Sequence, residues 1–166
     1  MRRREAREPL SHILGEREFW SLRFQVNASV LDPRPDSETL VAAVLAQYPE
    51  PDTVVKIADL GTGSGCLLLS ILSERPGAEG VGVDISESAL SIARENAQRF
   101  GLAARANFIQ SDWESRLGGT FDIVVSNPPY IPTAAIDDLA PEVARFEPRG
   151  AVDGGADGLD ASRHTA

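Results

Sequence analysis

The chain of 166 residues predicts an α/β domain, an open and mostly parallel sheet with helices on both faces. Three observations predict it. Four short apolar runs, at residues 54–60, 80–84, 106–110 and 121–125, are spaced by helical patterns and turn signals as in a parallel, helix-covered sheet. A glycine-rich turn, Gly61-Thr62-Gly63-Ser64-Gly65, joins the first run to an apolar helix. Polar side chains (Asp59, Asp84, Asp112 and Asn127) stand at the ends of the runs, where ligands of open α/β sheets bind.

Residues 1–18 are polar and charged, with a short turn expected around 9–15. Residues 18–26 (EFWSLRFQV) are rich in aromatic and β-branched types with partial alternation, which reads as a strand or hairpin arm. Prolines stiffen the connector Leu31-Asp32-Pro33-Arg34-Pro35-Asp36-Ser37-Glu38. Asp36 is expected to cap the next helix, with Glu38 in its first turn and Leu40, Val41, Val44 and Leu45 at helical spacing. Pro49-Glu50-Pro51 stops that helix. The first strand (54–60) is followed by a helix from Cys66 to about residue 72, closed by Pro76-Gly77. The second strand (80–84) leads to a helix capped by Ser86, with Ala89, Leu90, Ala93 and Ala97 on one face and Gly101 just past its end. The third strand (106–110) ends at Ser111-Asp112-Trp113, and the fourth (121–125) runs into Ser126-Asn127-Pro128-Pro129-Tyr130. A short helix is expected at 137–144, turns at 150–158, and the start of another helix at 159–166. The fourth strand is expected at an edge despite its apolar sequence, which gives the chain the look of one cut short at its carboxyl end.

Composition narrows the partners. With 25 acidic against 16 basic residues the formal net charge is −9, which disfavours a broad surface for nucleic-acid phosphates. Arg2, Arg3, Arg4 and Arg7 read as a solvated basic end. Cys66 is the single cysteine, so no intrachain disulfide forms, and a soluble protein of the reducing cytoplasm is expected. No 18-residue apolar run and no signal-peptide core appear. His12 lacks neighbours at metal-ligand spacing and reads as a surface or packing residue, and no metal is implied. For Arg34 a structural ion pair is at least as good a reading as a ligand contact.

The strand ends describe one ligand. Glycines let the backbone N–H groups of a strand-to-helix turn approach a bound molecule closely. The dinucleotide pattern G-x-G-x-x-G would require a glycine where this chain has Cys66. Asp59 would repel a pyrophosphate but hold an ammonium group, while Asp84 suits the two hydroxyls of a ribose. Asp112 and Trp113 suit an adenine amino group and ring face. An ammonium, a ribose and an adenine without phosphate specify S-adenosylmethionine. On the fourth strand, two prolines hold Asn127 and Pro128 out of the helical region, which fixes the Asn127 side chain and the Pro128 carbonyl as a grip for a planar –NH2 group.

Asp59-Leu60-Gly61-Thr62-Gly63-Ser64-Gly65 with Asp84 resembles the motifs of Rossmann-like class I S-adenosylmethionine-dependent methyltransferases. Asn-Pro-Pro-Tyr resembles the signature of those that methylate a planar nitrogen. With Pro33-Arg34-Pro35-Asp36-Ser37-Glu38, Glu18-Phe19-Trp20, Ser111-Asp112-Trp113, Arg145-Phe146-Glu147-Pro148 and Asp157-Gly158-Leu159-Asp160, the chain looks like the HemK/PrmC family. That resemblance implies N5-methylation of the glutamine in the Gly-Gly-Gln loop of class I peptide-chain release factors. The donor would lie across Gly61, Thr62, Gly63, Ser64 and Gly65, with its ribose on Asp84 and its adenine near Asp112 and Trp113. The substrate amide would donate to the Asn127 oxygen, which also borders the donor, and to the Pro128 carbonyl. Pro129 and Tyr130 complete the substrate site, with Tyr130 against the amide plane. The family also implies that residues 1–32 are a linker and β-hairpin left from a helical recognition domain and that 33–166 are a methyltransferase domain incomplete after its fourth strand. A monomer is expected, although no residue pattern specifies the oligomeric state. The rival readings are a nucleic-acid methyltransferase acting on adenine N6 or guanine N2, and an inert fragment that only binds the donor.

Overall fold

The computed structural model describes residues 2–165. Two short helices, α1 (Arg2–Glu5) and α2 (Leu10–Leu14), precede an antiparallel hairpin of β1 (Glu16–Phe19) and β2 (Leu22–Gln25). The stretch expected as a turn is thus a helical turn, ended by Gly15 in the left-handed region at φ 78°. The hairpin turn places two non-glycine residues, Trp20 and Ser21, at φ 49° and 59°, as a two-residue turn of this hand requires. Trp20 is pinned there, since its backbone N–H donates to Glu38 Oε1 at 2.8 Å and its indole N–H to Glu74 Oε1 at 3.0 Å.

The helix after the connector is α3 (Glu38–Gln47). Asp36 does not cap it. Residues Pro35–Ser37 form a 3-10 turn that leads into the helix, and neither Asp36 nor Ser37 makes a side-chain cap bond. The backbone is already helical at Ser37 (φ −71°, ψ −14°), whereas a capping side chain needs extended geometry.

Four parallel strands follow: β3 (Lys56–Leu60), β4 (Glu79–Asp84), β5 (Ala106–Gln110) and β6 (Ile123–Ser126). Their order is β5-β4-β3-β6. The expected first strand is shorter at its start, where Val54 is exposed, and the fourth is shifted to end at Ser126. Between them lie α4 (Cys66–Glu74) and α5 (Glu87–Arg99). Ser86 caps α5 as expected, its hydroxyl accepting from Ala89 N at 3.2 Å. Beyond β6 come a 3-10 segment (Thr133–Asp138), α6 (Pro141–Phe146) and α7 (Asp160–Thr165). Ala166, the end of the last expected helix, lies outside the described residues.

The core forms where α4, α5 and the hairpin meet one face of the sheet: Leu68, Leu69, Ile71 and Leu72 pack with Leu90, Ala93, Ile57, Phe108, Phe19 and Phe24. The register makes two glycines necessary in β4. A Cβ on Gly80 would stand 2.4 Å from Leu68 Cδ1, and one on Gly82 2.8 Å from Phe108 Cδ1 and Thr62 Oγ1. Asn96 of α5 ties the hairpin to the glycine turn, accepting from Gln25 N at 2.7 Å and donating to Gln25 O and Ser64 O. On the other face Ala58, Leu60 and Val83 are buried, while Val124 of edge strand β6 is 59% exposed. Leu60 pairs with both Val83 and Ser126, and Asp84 with Gln110, so the four strands end within one residue of one another. The strand order reverses between β3 and β6, and a crevice opens where their exits diverge.

Candidate functional site

The glycine turn leaves β3 with Gly61, Gly63 and Gly65 at φ 70°, 55° and 80°. These are left-handed values that side chains disfavour. A Cβ on Gly61 or Gly63 would meet only open space, so both present bare backbone to the crevice. Gly65 has a different reason: its Cβ would stand 3.0 Å from Leu69 Cδ1 and 3.3 Å from Ala93 Cβ, so it permits close packing of α4 on α5. Asp84 anchors the turn from the neighbouring strand. Its two carboxylate oxygens accept from Gly63 N and Ser86 N, each at 2.9 Å. A carboxylate has about four lone-pair positions, so capacity remains for two more donors.

Asp59 lies under the turn rather than on the crevice wall, 1% exposed. Thr62 donates its hydroxyl to Asp59 Oδ2 at 2.7 Å, and Asp59 Oδ1 is buried with no hydrogen-bond partner. Burial pushes the Asp59 carboxyl up to about 6, against the Thr62 bond, and nearby Asp84 adds to the rise. Burial also pushes the Cys66 thiol up to about 12, with Asp59 reinforcing it, so this sulfur is neutral and no nucleophile.

A cleft of ≈ 580 Å³ runs across these strand ends, within the range of cofactor pockets. Gly61, Thr62, Gly63, Ser64, Asp84, Asp112, Trp113, Asn127 and Pro129 all line it. Trp113 holds a positive φ of 49°, and its ring stacks on His164 of α7 with centroids 6.0 Å apart and planes at 11°. Asn127 leaves the edge strand on the far wall. Ser126 anchors that exit by donating its hydroxyl to Leu60 O at 2.8 Å, and Asn127 Nδ2 donates to Ser37 Oγ at 3.2 Å.

Known proteins fit this geometry. Residues 35–144 match the methyltransferase small domain family. The chain belongs to that family. It is 55% identical over 161 residues to the release factor glutamine methyltransferase of Rhodospirillum rubrum, an alignment covering 97% of this chain and 49% of that protein. It is 52% identical over 167 residues to the protein of the same name from Caulobacter vibrioides, covering 100% of this chain and 57% of that one. The resemblance read from the motifs is thereby borne out, and the chain spans about half the length of the curated relatives it matches. Among solved structures it is similar to the hMettl16 catalytic domain in complex with MAT2A 3'UTR hairpin 6, with TM-score 0.69 and 14% identity over 87% of this chain and 55% of that one. It is also similar to the SAM-dependent methyltransferase from Agrobacterium tumefaciens, with TM-score 0.55 and 24% identity over 69% of this chain and 39% of that one. These two likenesses show the fold, and it is the Rossmann-like methyltransferase fold expected from the sequence.

Within this methyltransferase domain not every expected residue reaches the cleft wall. Asp59, Gly65, Pro128 and Tyr130 do not line it, and Tyr130 is 66% exposed. Conversely, the cleft gains walls to which the sequence reading gave no site role: Val30, Pro33 and Ser37 before α3, and Pro148, Ala151 and His164 from the carboxyl-terminal stretch. An ion pair, buried on its Glu147 side and partly exposed on its Arg34 side, joins these two walls. Arg34 Nη2 lies 3.1 Å from Glu147 Oε1, and Glu147 Oε2 accepts from Asp32 N at 3.1 Å. Arg34 thus has the structural partner anticipated for it, while it also borders the cleft. Burial raises the Glu147 carboxyl, opposed by the Asp32 N–H and Arg34. His12 is buried with neither ring nitrogen hydrogen-bonded, and burial lowers its pKa. Among the described residues no cluster suits a metal ion, and no helix is long and apolar enough to cross a membrane.

Proposed function

We propose that this chain carries the donor and amide sites of an S-adenosylmethionine-dependent methyltransferase acting on the side-chain nitrogen of the glutamine in the Gly-Gly-Gln loop of class I release factors. The observation that carries the reading is the single cleft that joins the bare glycine turn, Asp84, Asp112 and Trp113 to Asn127. The names of relatives about half identical to the chain support the same substrate.

The residues present fit the donor. The orphaned Asp59 Oδ1 suits an ammonium just above it. Open space over Gly61 and Gly63 admits a chain along their backbone, and Asp84 keeps acceptor capacity for ribose hydroxyls. Trp113 offers a ring face, currently stacked on His164. When bound, S-adenosylmethionine supplies a methyl group on a sulfonium, open to in-line attack.

The protein's part is positioning. An amide nitrogen is a poor nucleophile because its lone pair is delocalised, so acceptors on its N–H groups have to hold it in line and favour charge developing on nitrogen. Asn127 Oδ1 and the Pro128 carbonyl are those acceptors, kept in place by two locked proline φ angles. Tyr130, exposed beside them, closes over the amide as the substrate loop docks. No strong base is required if the proton leaves after transfer, and the neutral Cys66 thiol supplies none.

The test is incubation of the chain with S-adenosylmethionine and a class I release factor, with an adenine-containing oligonucleotide in parallel, followed by peptide mass analysis. A one-methyl gain on the Gly-Gly-Gln peptide alone is expected. Transfer to the oligonucleotide instead, or donor binding with no transfer to the release factor, overturns the reading for this chain.

A further inference from the structure

We infer that Ser37 is a positioning residue of the methyl-transfer site, whose hydroxyl holds the Asn127 carboxamide with its oxygen toward the substrate. This rests on the function proposed above. Ser37 immediately precedes α3, where a serine ordinarily caps the helix, yet it makes no cap bond. Its Oγ instead accepts from Asn127 Nδ2 at 3.2 Å, across ninety positions of sequence. Ser37 lines the cleft and is 9% exposed.

The mounting is rigid on both sides. Ser37 sits in a 3-10 turn closed by its own N–H to Arg34 O at 3.0 Å, between Pro35 and the start of α3. Arg34 is held in turn by Glu147. Asn127 is fixed by the Ser126 anchor to Leu60 O and by the proline that follows it.

Orientation of this amide matters chemically. A carboxamide has an acceptor end and a donor end of nearly equal shape. Only the acceptor end can receive an N–H of a substrate –NH2 group; the donor end would set N–H against N–H. Ser37 takes one of the Nδ2 hydrogens. That leaves Oδ1, which has no hydrogen-bond partner among the described residues, at the other end of the planar carboxamide. Removing the hydroxyl frees the carboxamide to rotate out of this position, and part of the population then no longer presents Oδ1 to the substrate. The donor-binding wall at Gly61, Gly63 and Asp84 makes no bond to Ser37 and is unaffected.

The experiment compares wild type, Ser37→Ala, Ser37→Thr, Asn127→Ala and the Ser37→Ala/Asn127→Ala double variant. Readouts are steady-state transfer to a release factor, calorimetric S-adenosylmethionine affinity, and the side-chain NH2 signals of 15N-asparagine-labelled protein. Ser37→Ala is expected to lower kcat about tenfold, the loss of one hydrogen bond, with donor affinity unchanged and the Asn127 NH2 pair shifted. Ser37→Thr should restore most of the rate and the wild-type NH2 signal. The double variant should be no slower than Asn127→Ala. A Ser37→Ala protein with the wild-type rate overturns the inference, as does an unshifted NH2 pair, or an equal loss in Ser37→Thr. A lowered donor affinity or melting point in step with the rate overturns it too, since that marks a merely structural serine. Wild-type protein that transfers nothing sinks the proposed function, while the NH2 signals still report whether Ser37 holds Asn127.

Discussion

The glycine turn after β3 and the Asn127 loop after β6 leave neighbouring strands at the same height and face one cleft, but they are held by different means. The glycine turn is closed largely from within: Thr62 bonds to Asp59, Gly65 N to Thr62 O, and the next strand supplies Asp84 to Gly63 N. The Asn127 loop has little local support beyond its prolines. Its hydrogen bonds run to Leu60 and Ser37, 66 and 90 positions away. A donor wall built from local geometry should tolerate damage to the distant connector, while an amide wall built from distant contacts should not.

Breaking the amide wall is expected to give the largest effect. Asn127→Ala should cut methyl transfer about 100-fold or more, as for loss of an acceptor aimed at developing charge, with S-adenosylmethionine affinity within about twofold of wild type by calorimetry. A parallel loss of donor affinity would show that the two walls are not separable.

The carboxyl beneath the glycine turn carries a pH signature. The folded pKa of Asp59, about 6, lies above its ordinary value of 3.8, so the folded state binds this proton more tightly than the unfolded one. Stability from this group is therefore full below pH ~4, falls as pH rises toward ~6, and is level above, a change on the order of 3 kcal/mol. Denaturant titrations from pH 4 to 8 should show that slope in wild type and its flattening in Asp59→Asn. Donor affinity should rise over the same window as the carboxylate forms.

Asp84→Asn sharpens the comparison further. One carboxamide oxygen would replace two carboxylate oxygens that hold Gly63 N and Ser86 N. Donor affinity should fall about tenfold, with kcat at saturating donor little changed. The smallest effect is expected from Trp113→Ala, which removes a ring face now stacked on His164. A loss of about three- to tenfold in donor affinity, read by calorimetry, would place the adenine on this ring, and no loss would place it elsewhere.

The sequence alone determined what depends on a few neighbouring residues. The four strands, the helix at Ser86 and the three glycines that adopt positive φ follow from local patterning and from the missing Cβ. So does the placement of Asp59, Asp84, Asp112 and Asn127 at strand ends, because alternation of strand and helix dictates which end faces a ligand. Local rules misjudged the Pro35–Ser37 turn, where Asp36 was read as a cap although the chain enters α3 already helical. Folding in three dimensions settled everything that needed partners far apart in the chain. Whether Asp59 would be buried with a free oxygen, whether Arg34 would find Glu147, and whether Ser37 would meet Asn127 depend on the order β5-β4-β3-β6 and its register. A hydrogen bond acts over about 3 Å, and no pattern within a window of neighbouring residues records which segment the sheet will bring that close.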